Sequence, residues 1–160
     1  MEIRRYQDSD LEQVATLFIN TIRHVNCRHY SPEQIAAWAP QTIDAPHWRV
    51  RLSTFLVWVA ETDSQIVGFS ALRPDGYIHF QFTHHQFQRQ GVARALYSEM
   101  ESEARRRGIH LLFTDASITA RPFFETMGFC LLRERQVKAR GVMFLNYAME
   151  KRLKPAAQNV

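Results

Sequence analysis

Gln88-Arg89-Gln90-Gly91-Val92-Ala93 combines small residues and cations in a way that can hold a phosphate through the backbone. It lies between two segments of different periodicity. Tyr77 to Thr83 is bulky and β-prone. Arg94 to Arg107 reads as a helix, with Val92, Leu96, Met100 and Ala104 recurring at i, i+4 on one face. A strand, a tight turn and a helix in succession aim the partnerless first-turn amides, with the positive end of the helix dipole, at an anion. A phosphate or pyrophosphate suits such a place. Gly91 and Ala93 are small enough to admit it to the backbone, and Arg89 and Arg94 add charge. The patterns GxxxxGK[ST] and GxGxxG are absent, which sets aside a nucleotide triphosphate loop and a dinucleotide fold. Taken alone, Gln-x-x-Gly-x-Ala is also compatible with an ordinary strand-to-helix turn.

Other reactive residues are less organised. His84-His85 on an extended segment would point to opposite faces and chelate poorly, and no Cys or carboxylate cluster accompanies them, so no metal site is expected. Cys27 lies near His24 and His29 without forming an evident nucleophile dyad. His79, with a reference pKa near 6.5, suits removal of a proton from an amine, although a histidine satisfied by a neighbour explains it equally well. Arg105-Arg106-Arg107 closes the helix, where cations favour the dipole.

These residues must be positioned by one domain. The chain has 160 residues, is 46% hydrophobic and 22% charged, and carries a formal charge of +4, values of a single globular domain with a sizeable core. Residues 1–150 are read as that domain and 151–160 as a C-terminal tail. The N-terminus lacks the apolar core of a signal peptide and no apolar run spans a bilayer, so a cytoplasmic protein with reduced Cys27 and Cys130 is expected, without membrane partners. The mild positive charge suits a polyanionic cofactor as readily as nucleic acid, and no helix-turn-helix or RNP motif supports the latter.

In order, Glu2 to Tyr6 is a strand, and Ser9-x-x-Glu12 has capping-box spacing before a helix carrying Leu11, Val14, Phe18 and Ile22. Ser31-Pro32 starts a second helix ending near Pro40, and Asp44 to Ser53 forms a third with Trp48 and Leu52 inward. Phe55–Ala60, Gln65–Leu72 and Tyr77–Thr83 make an antiparallel meander through turns at Thr62-Asp63-Ser64 and Pro74-Asp75-Gly76. Phe80 and Phe82 share one face, Gln81 and Thr83 the other. After the central helix come a strand at Leu111–Asp115 parallel to the third meander strand, a helix at Thr119–Met127, and a hairpin of Phe129–Val137 with Val142–Met149. The class is mixed α+β.

Three segments, in order, resemble the GNAT superfamily of acyl-CoA N-acetyltransferases. Gln88 to Ala93 matches its pyrophosphate signature (Gln/Arg)-x-x-Gly-x-(Gly/Ala). Tyr77 to His85 is similar to its fourth strand. Ser117-Ile118-Thr119-Ala120-Arg121-Pro122-Phe123-Phe124-Glu125-Thr126-Met127-Gly128-Phe129 is similar to the segment after its fifth strand. The resemblance covers nearly the whole chain. It implies a central, mostly antiparallel sheet of about seven strands with four or five helices, its parallel fourth and fifth strands splayed around the cofactor. It implies acetyl-CoA as cofactor and a small-molecule or peptide amine as acceptor, attacking directly in a ternary complex.

The resemblance assigns the pyrophosphate to the backbone of Gln88, Arg89, Gln90, Gly91, Val92, Ala93 and Arg94. Gln81, Phe82 and Thr83 would offer backbone groups to the pantetheine arm and the acetyl carbonyl. Ser117, Phe123 and Phe124 would lie beside the arm. His79 aligns with an acidic position facing the acceptor and would serve as base. Tyr30, Glu33, Trp38 and His84 would shape the acceptor pocket. The chain departs from the pattern at Phe124, where most members carry a Tyr that protonates the thiolate, at Ser117 (often Asn) and at His85 (often Pro). Tyr147 is an alternative donor to the sulfur. A non-catalytic acyl-CoA-binding or sensing domain is the alternative that Phe124 keeps open; the acceptor's identity and the oligomeric state, a homodimer included, are not legible.

Overall fold

The computed structural model describes residues 1–154. Seven strands occur in the order β1 (Glu2–Arg5), β2 (Leu56–Thr62), β3 (Gln65–Leu72), β4 (Ile78–Thr83), β5 (Leu111–Ser117), β6 (Cys130–Ala139) and β7 (Val142–Arg152). Five α-helices accompany them: α1 (Leu11–His24), α2 (Pro32–Trp38), α3 (Ala45–Ser53), α4 (Val92–Arg106) and α5 (Arg121–Thr126). The expected strands and helices are all present, but the strands form two sheets: an antiparallel β1-β2-β3-β4 and an antiparallel β5-β7-β6.

The two sheets touch where β4 and β5 begin. A parallel bridge joins Tyr77 to Phe113, the Phe113 N–H donates to the Gly76 carbonyl at 3.1 Å, and the Thr114 hydroxyl donates to the Ile78 carbonyl at 2.9 Å. Beyond Ile78, β4 pairs with β3 alone. Its other edge, from His79 to Thr83, faces the gap between the sheets.

Apolar side chains pack against both faces of the first sheet. Trp58, Ala60, Val67 and Leu72 meet Leu96, Met100 and Ala104 of α4 on one face. On the other, Val57, Val59, Phe69, Ala71 and Phe80 meet Val14, Phe18 and Ile22 of α1 and Trp48 and Leu52 of α3. Alternation supplies both sets along β2 and from Gly68 onward in β3, because successive side chains leave a strand on opposite faces, and the register shift opposite Ala60 and Glu61 turns Val67 to the α4 side. Phe80 and Phe82 do share a face, both packing on Phe18 and Phe69.

Two local expectations differ. The turn before α1 is closed by the Asp10 carboxylate, which accepts from the Gln7 N–H at 2.8 Å and from Arg4 at 2.8 and 2.9 Å, rather than by Ser9 and Glu12. A carboxylate buried beside a bidentate arginine makes charge-assisted bonds that a serine cap cannot. The start of α2 is as expected, with Ser31 at the N-cap and Pro32 in the first turn, and Gln34 completes a reciprocal cap with Ser31. The other difference is the C-terminus: Lys151 and Arg152 lie in β7 and Leu153 is buried, so the domain extends past residue 150. Residues 155–160 of the proposed tail lie outside the described residues.

Candidate active site

The turn from Gln88 into α4 leaves its amides available. Gly91 is the N-cap, with φ of 82°, and no side chain caps the helix. The first turn holds no acidic residue, and the Ala95 N–H donates to the Gly91 carbonyl at 3.0 Å as the first turn closes. The amides of Val92, Ala93 and Arg94 therefore carry the positive end of the dipole toward open space. A Cβ placed on Gly91 would meet nothing within 4 Å. Arg89 also has a positive φ, 59°, which curves the loop. The Gln88 side chain folds inward, donating to the Thr83 carbonyl at 2.8 Å, so its amide group braces the turn. Gln81 donates to the Ala93 carbonyl at 3.0 Å and ties β4 to the start of α4. An uncapped, cation-flanked helix start that a Cβ would not fill fits a pyrophosphate.

This turn opens into a cleft of about 970 Å³ between the two sheets. Its walls include β4 from Ile78 to Thr83 on one side and Thr114 to Ser117 of β5 on the other, with Phe123 and Phe124 of α5. A second region is polar and lies around the start of β4. Asp115 accepts from the Tyr77 hydroxyl at 3.2 Å and pairs with Arg135 at 2.6 Å. Burial and the nearby Asp115 push the Tyr77 phenol up to about 12, so it is a hydrogen-bond donor at neutral pH. Two buried acceptors, Gln81 Oε1 and Asn146 Oδ1, lack a protein partner and belong to residues lining the cleft.

The sequence matches the acetyltransferase (GNAT) domain over residues 26–151. It is 40% identical over 156 residues, 97% of each chain, to the uncharacterized N-acetyltransferase YafP of Escherichia coli strain K12. The chain belongs to the GNAT acetyltransferase family. It is an acetyl-CoA-dependent N-acetyltransferase. Its fold is similar to a GCN5-related N-acetyltransferase from Rhodopseudomonas palustris, with TM-score 0.90 and 31% identity over 95% of each chain. It is also similar to PaiA N-acetyltransferase from Thermoplasma acidophilum, solved with coenzyme A, with TM-score 0.77 and 19% identity over 95% of this chain and 98% of that one.

Within this GNAT fold most of the residues singled out in the sequence meet in the cleft: Tyr30, Trp38, His79, Gln81, Phe82, Thr83, Gln88, Arg89, Gly91, Val92, Ala93, Arg94, Ser117, Phe123 and Phe124 all line it. Gln90 is exposed on the turn and does not line it. Glu33 and His84 do not line this cleft either. Glu33 is an exposed first-turn residue of α2, and His84 lines a separate small hollow with Gln13 and Asn20. The His84 and His85 rings stack at 4.6 Å, and His85 stacks on His24 at 4.2 Å, because β4 ends at Thr83 and the chain turns. The strand geometry that would have sent them to opposite faces does not apply. Among the described residues no group of three His, Cys, Asp or Glu could hold a metal.

Several side chains are already engaged. The Tyr30 hydroxyl donates to the Leu145 carbonyl at 3.1 Å and accepts from the Ile118 N–H at 2.8 Å, fastening α2's approach to the end of β5. Ser117 accepts from the Ala120 N–H at 3.0 Å and caps the turn into α5. The Thr83 carbonyl is taken by Thr21 and Gln88. Tyr147 is buried beneath the Arg121 guanidinium and does not line the cleft.

His79 is the main correction. A register shift opposite Ala71 and Leu72 leaves it as a bulge, with Ile78 and Phe80 paired on either side. Bulges re-aim side chains. The ring stacks on Phe55 at 4.8 Å, and its Nε2 accepts from Arg51 at 2.7 Å. Burial, with Arg51 and then Arg73, depresses the imidazole from 6.5 to about 4. The lone pair needed to accept an ammonium proton is thus engaged, and His79 is not set up as the base. Its folded pKa lies below its unfolded one, so the unfolded chain binds more protons between those values. The associated stability is present above pH 6.5 and is lost as pH falls toward 4. Urea unfolding of wild type and His79→Gln at pH 7 and 4.5 is expected to show a smaller acid loss in the variant. The rate profile of the variant above pH 5.5 should keep its wild-type shape; an acid limb removed by the substitution would restore His79 as base.

Proposed function

We propose that the cleft transfers acetyl from acetyl-CoA to the amine of a small molecule or peptide by direct attack. The supporting observation is the uncapped start of α4, with open space at Gly91, at one end of a gap between β4 and β5. The amides of Val92, Ala93 and Arg94, with Arg89 and Arg94, would hold the pyrophosphate, and the free β4 edge and Phe123 would flank the arm. When bound, acetyl-CoA supplies an acetyl group activated as a thioester. The amine nitrogen forms the new C–N bond as the C–S bond breaks, the nitrogen loses one proton and the sulfur gains one. Two carboxylates line the cleft, Asp44 and Asp115, and Asp115, held by Tyr77 and Arg135, would lie near the incoming amine. Release of free thiol from acetyl-CoA across an amine panel tests the transfer; no release with any amine, in a protein that binds acetyl-CoA, would refute it.

Phe124 is 2% exposed, packed on Phe123 at 5.5 Å and Phe129 at 5.1 Å, as an apolar wall. A thiol has a reference pKa of about 8.5, so its thiolate leaves acceptably near pH 7 without an acid. Phe124→Tyr is expected to keep the wild-type rate or raise it by less than about 10-fold, below the ~10²–10⁴ typical of general acid catalysis. Steady-state kinetics checks it. Wild type inert toward every amine, with transfer switched on by the new hydroxyl, would make the natural chain a binding domain.

A further inference from the structure

Arg51 is a cation in this cleft without an acidic partner. It projects from α3, and its guanidinium lies 5.0 Å from the Phe80 ring centroid and 5.5 Å from that of Trp48. Among the described residues no carboxylate pairs with it, and its hydrogen-bond partner is the neutral His79, at 2.7 Å. By contrast Arg4 pairs with Asp10 and Glu61 and Arg135 with Asp115, while the other cleft-lining arginines, Arg89, Arg94 and Arg140, are exposed to solvent. Burial alone lowers the Arg51 guanidinium from its ordinary value, so no nearby acid offsets the cost of taking it out of water. The β4 bulge supports this arrangement, since it turns His79 toward Arg51.

Resting on the acetyl-transfer reading above, we infer that the acceptor is an amine that also carries a carboxylate, and that Arg51 binds that carboxylate. A guanidinium fork matches a carboxylate in two parallel hydrogen bonds. One unneutralised cation in an aromatic wall matches a single negative charge better than a phosphate monoester of charge about −1.5 to −2. The reach is suitable. His79, which Arg51 touches, precedes Gln81 by two residues, about 6–7 Å along a strand. That separation is spanned by a short amino acid or the end of a small peptide.

The test compares acceptors that differ in the carboxylate: phenylalanine with phenethylamine, 4-aminobutyrate with butylamine, and glycylglycine with its C-terminal amide, with phosphoethanolamine as the phosphate arm. Thiol release gives KM for each, and calorimetry gives acetyl-CoA affinity. In wild type the carboxylate member of at least one pair is expected to have a KM about 10–100-fold lower than its partner, as for hydrogen bonds to a charged group. Arg51→Met, which keeps an apolar stem over Trp48 and Phe80, should erase that difference. Arg51→Lys should restore part of it, and acetyl-CoA affinity should stay within about twofold in both, which a merely structural role would not give. Acetyl-CoA binding together with preference for uncharged amines or phosphoethanolamine, or with no reaction of any carboxylate-bearing amine, overturns the inference alone. Failure of wild type to bind acetyl-CoA overturns the acetyl-transfer reading and this inference with it. The wild-type comparison needs no variant to fold.

Discussion

Replacing Gly91 with glutamate is expected to abolish acetyl-CoA binding while the fold remains intact. Gly91 sits at φ of 82°, so any side chain there is strained, at about 1–2 kcal/mol. That is the whole local cost, because a Cβ would meet no atom within 4 Å and the residue is exposed. A domain stable by about 5–15 kcal/mol tolerates it. The glutamate instead extends into the space that the α4 amides face. Two unit charges ~4 Å apart repel by about 1 kcal/mol in bulk water and about 4 kcal/mol near a protein surface, before any steric exclusion of the phosphates is counted. An affinity loss of at least about 100-fold follows. Gly91→Ala should show the strain with much less of the loss. Calorimetric titration with acetyl-CoA, beside a urea melt of each variant, separates the two. An unchanged affinity in folded Gly91→Glu would mean that the pyrophosphate binds elsewhere.

What could be read before the fold was known was what depends on local spacing. Val92, Leu96, Met100 and Ala104 announce α4 because helical periodicity is a property of neighbouring residues. Gly91 and Ala93 announce the anion turn for the same reason, and all but Gln90 of that motif reach the cleft wall. The residues that escaped notice act across long separations. Arg51 meets His79 from 28 positions away, and Asp115 joins Tyr77 from 38 positions away. Nothing in either local sequence marks them, although the Asp ending the strand Leu-Leu-Phe-Thr-Asp was a polar residue at the end of an apolar run. Two local irregularities were equally hidden: the register shift that leaves His79 as a bulge, and the end of β4 at Thr83, after which the His84 and His85 rings stack rather than point apart. The parting of β4 and β5 was expected through the family resemblance alone, and nothing in the local sequence marks the single bridge at which the two sheets meet.

The second large effect is expected at a residue that touches no ligand. Gly68 lies on β3 beneath α4. A Cβ there would stand 2.7 Å from Val92 Cγ1, 2.9 Å from Leu96 Cδ1 and 3.1 Å from the Phe82 carbonyl oxygen. Real side chains essentially never approach so closely, and both helix residues are buried, at 3% and 0% exposure, with little room to withdraw. The glycine therefore sets how near α4 can lie to the sheet, and Val92 is the residue next to Gly91. Gly68→Val gains strand propensity, and loses less backbone freedom on folding, by up to about 1 kcal/mol. Against that, overpacking a close-packed core costs about 1–3 kcal/mol and sometimes more. With three contacts inside 3.2 Å the overpacking should win, and we expect a net destabilisation of about 2 kcal/mol or more. Relief of the clash must lift the first turn of α4, which moves the amides at Val92 and Ala93. Acetyl-CoA should consequently stabilise the variant less than wild type in paired urea melts at equal ligand concentration, because the stabilisation reports affinity for the folded state. Equal ligand stabilisation in a destabilised Gly68→Val would show that the strain is absorbed at Leu96 and that the seat of α4 does not control the binding turn.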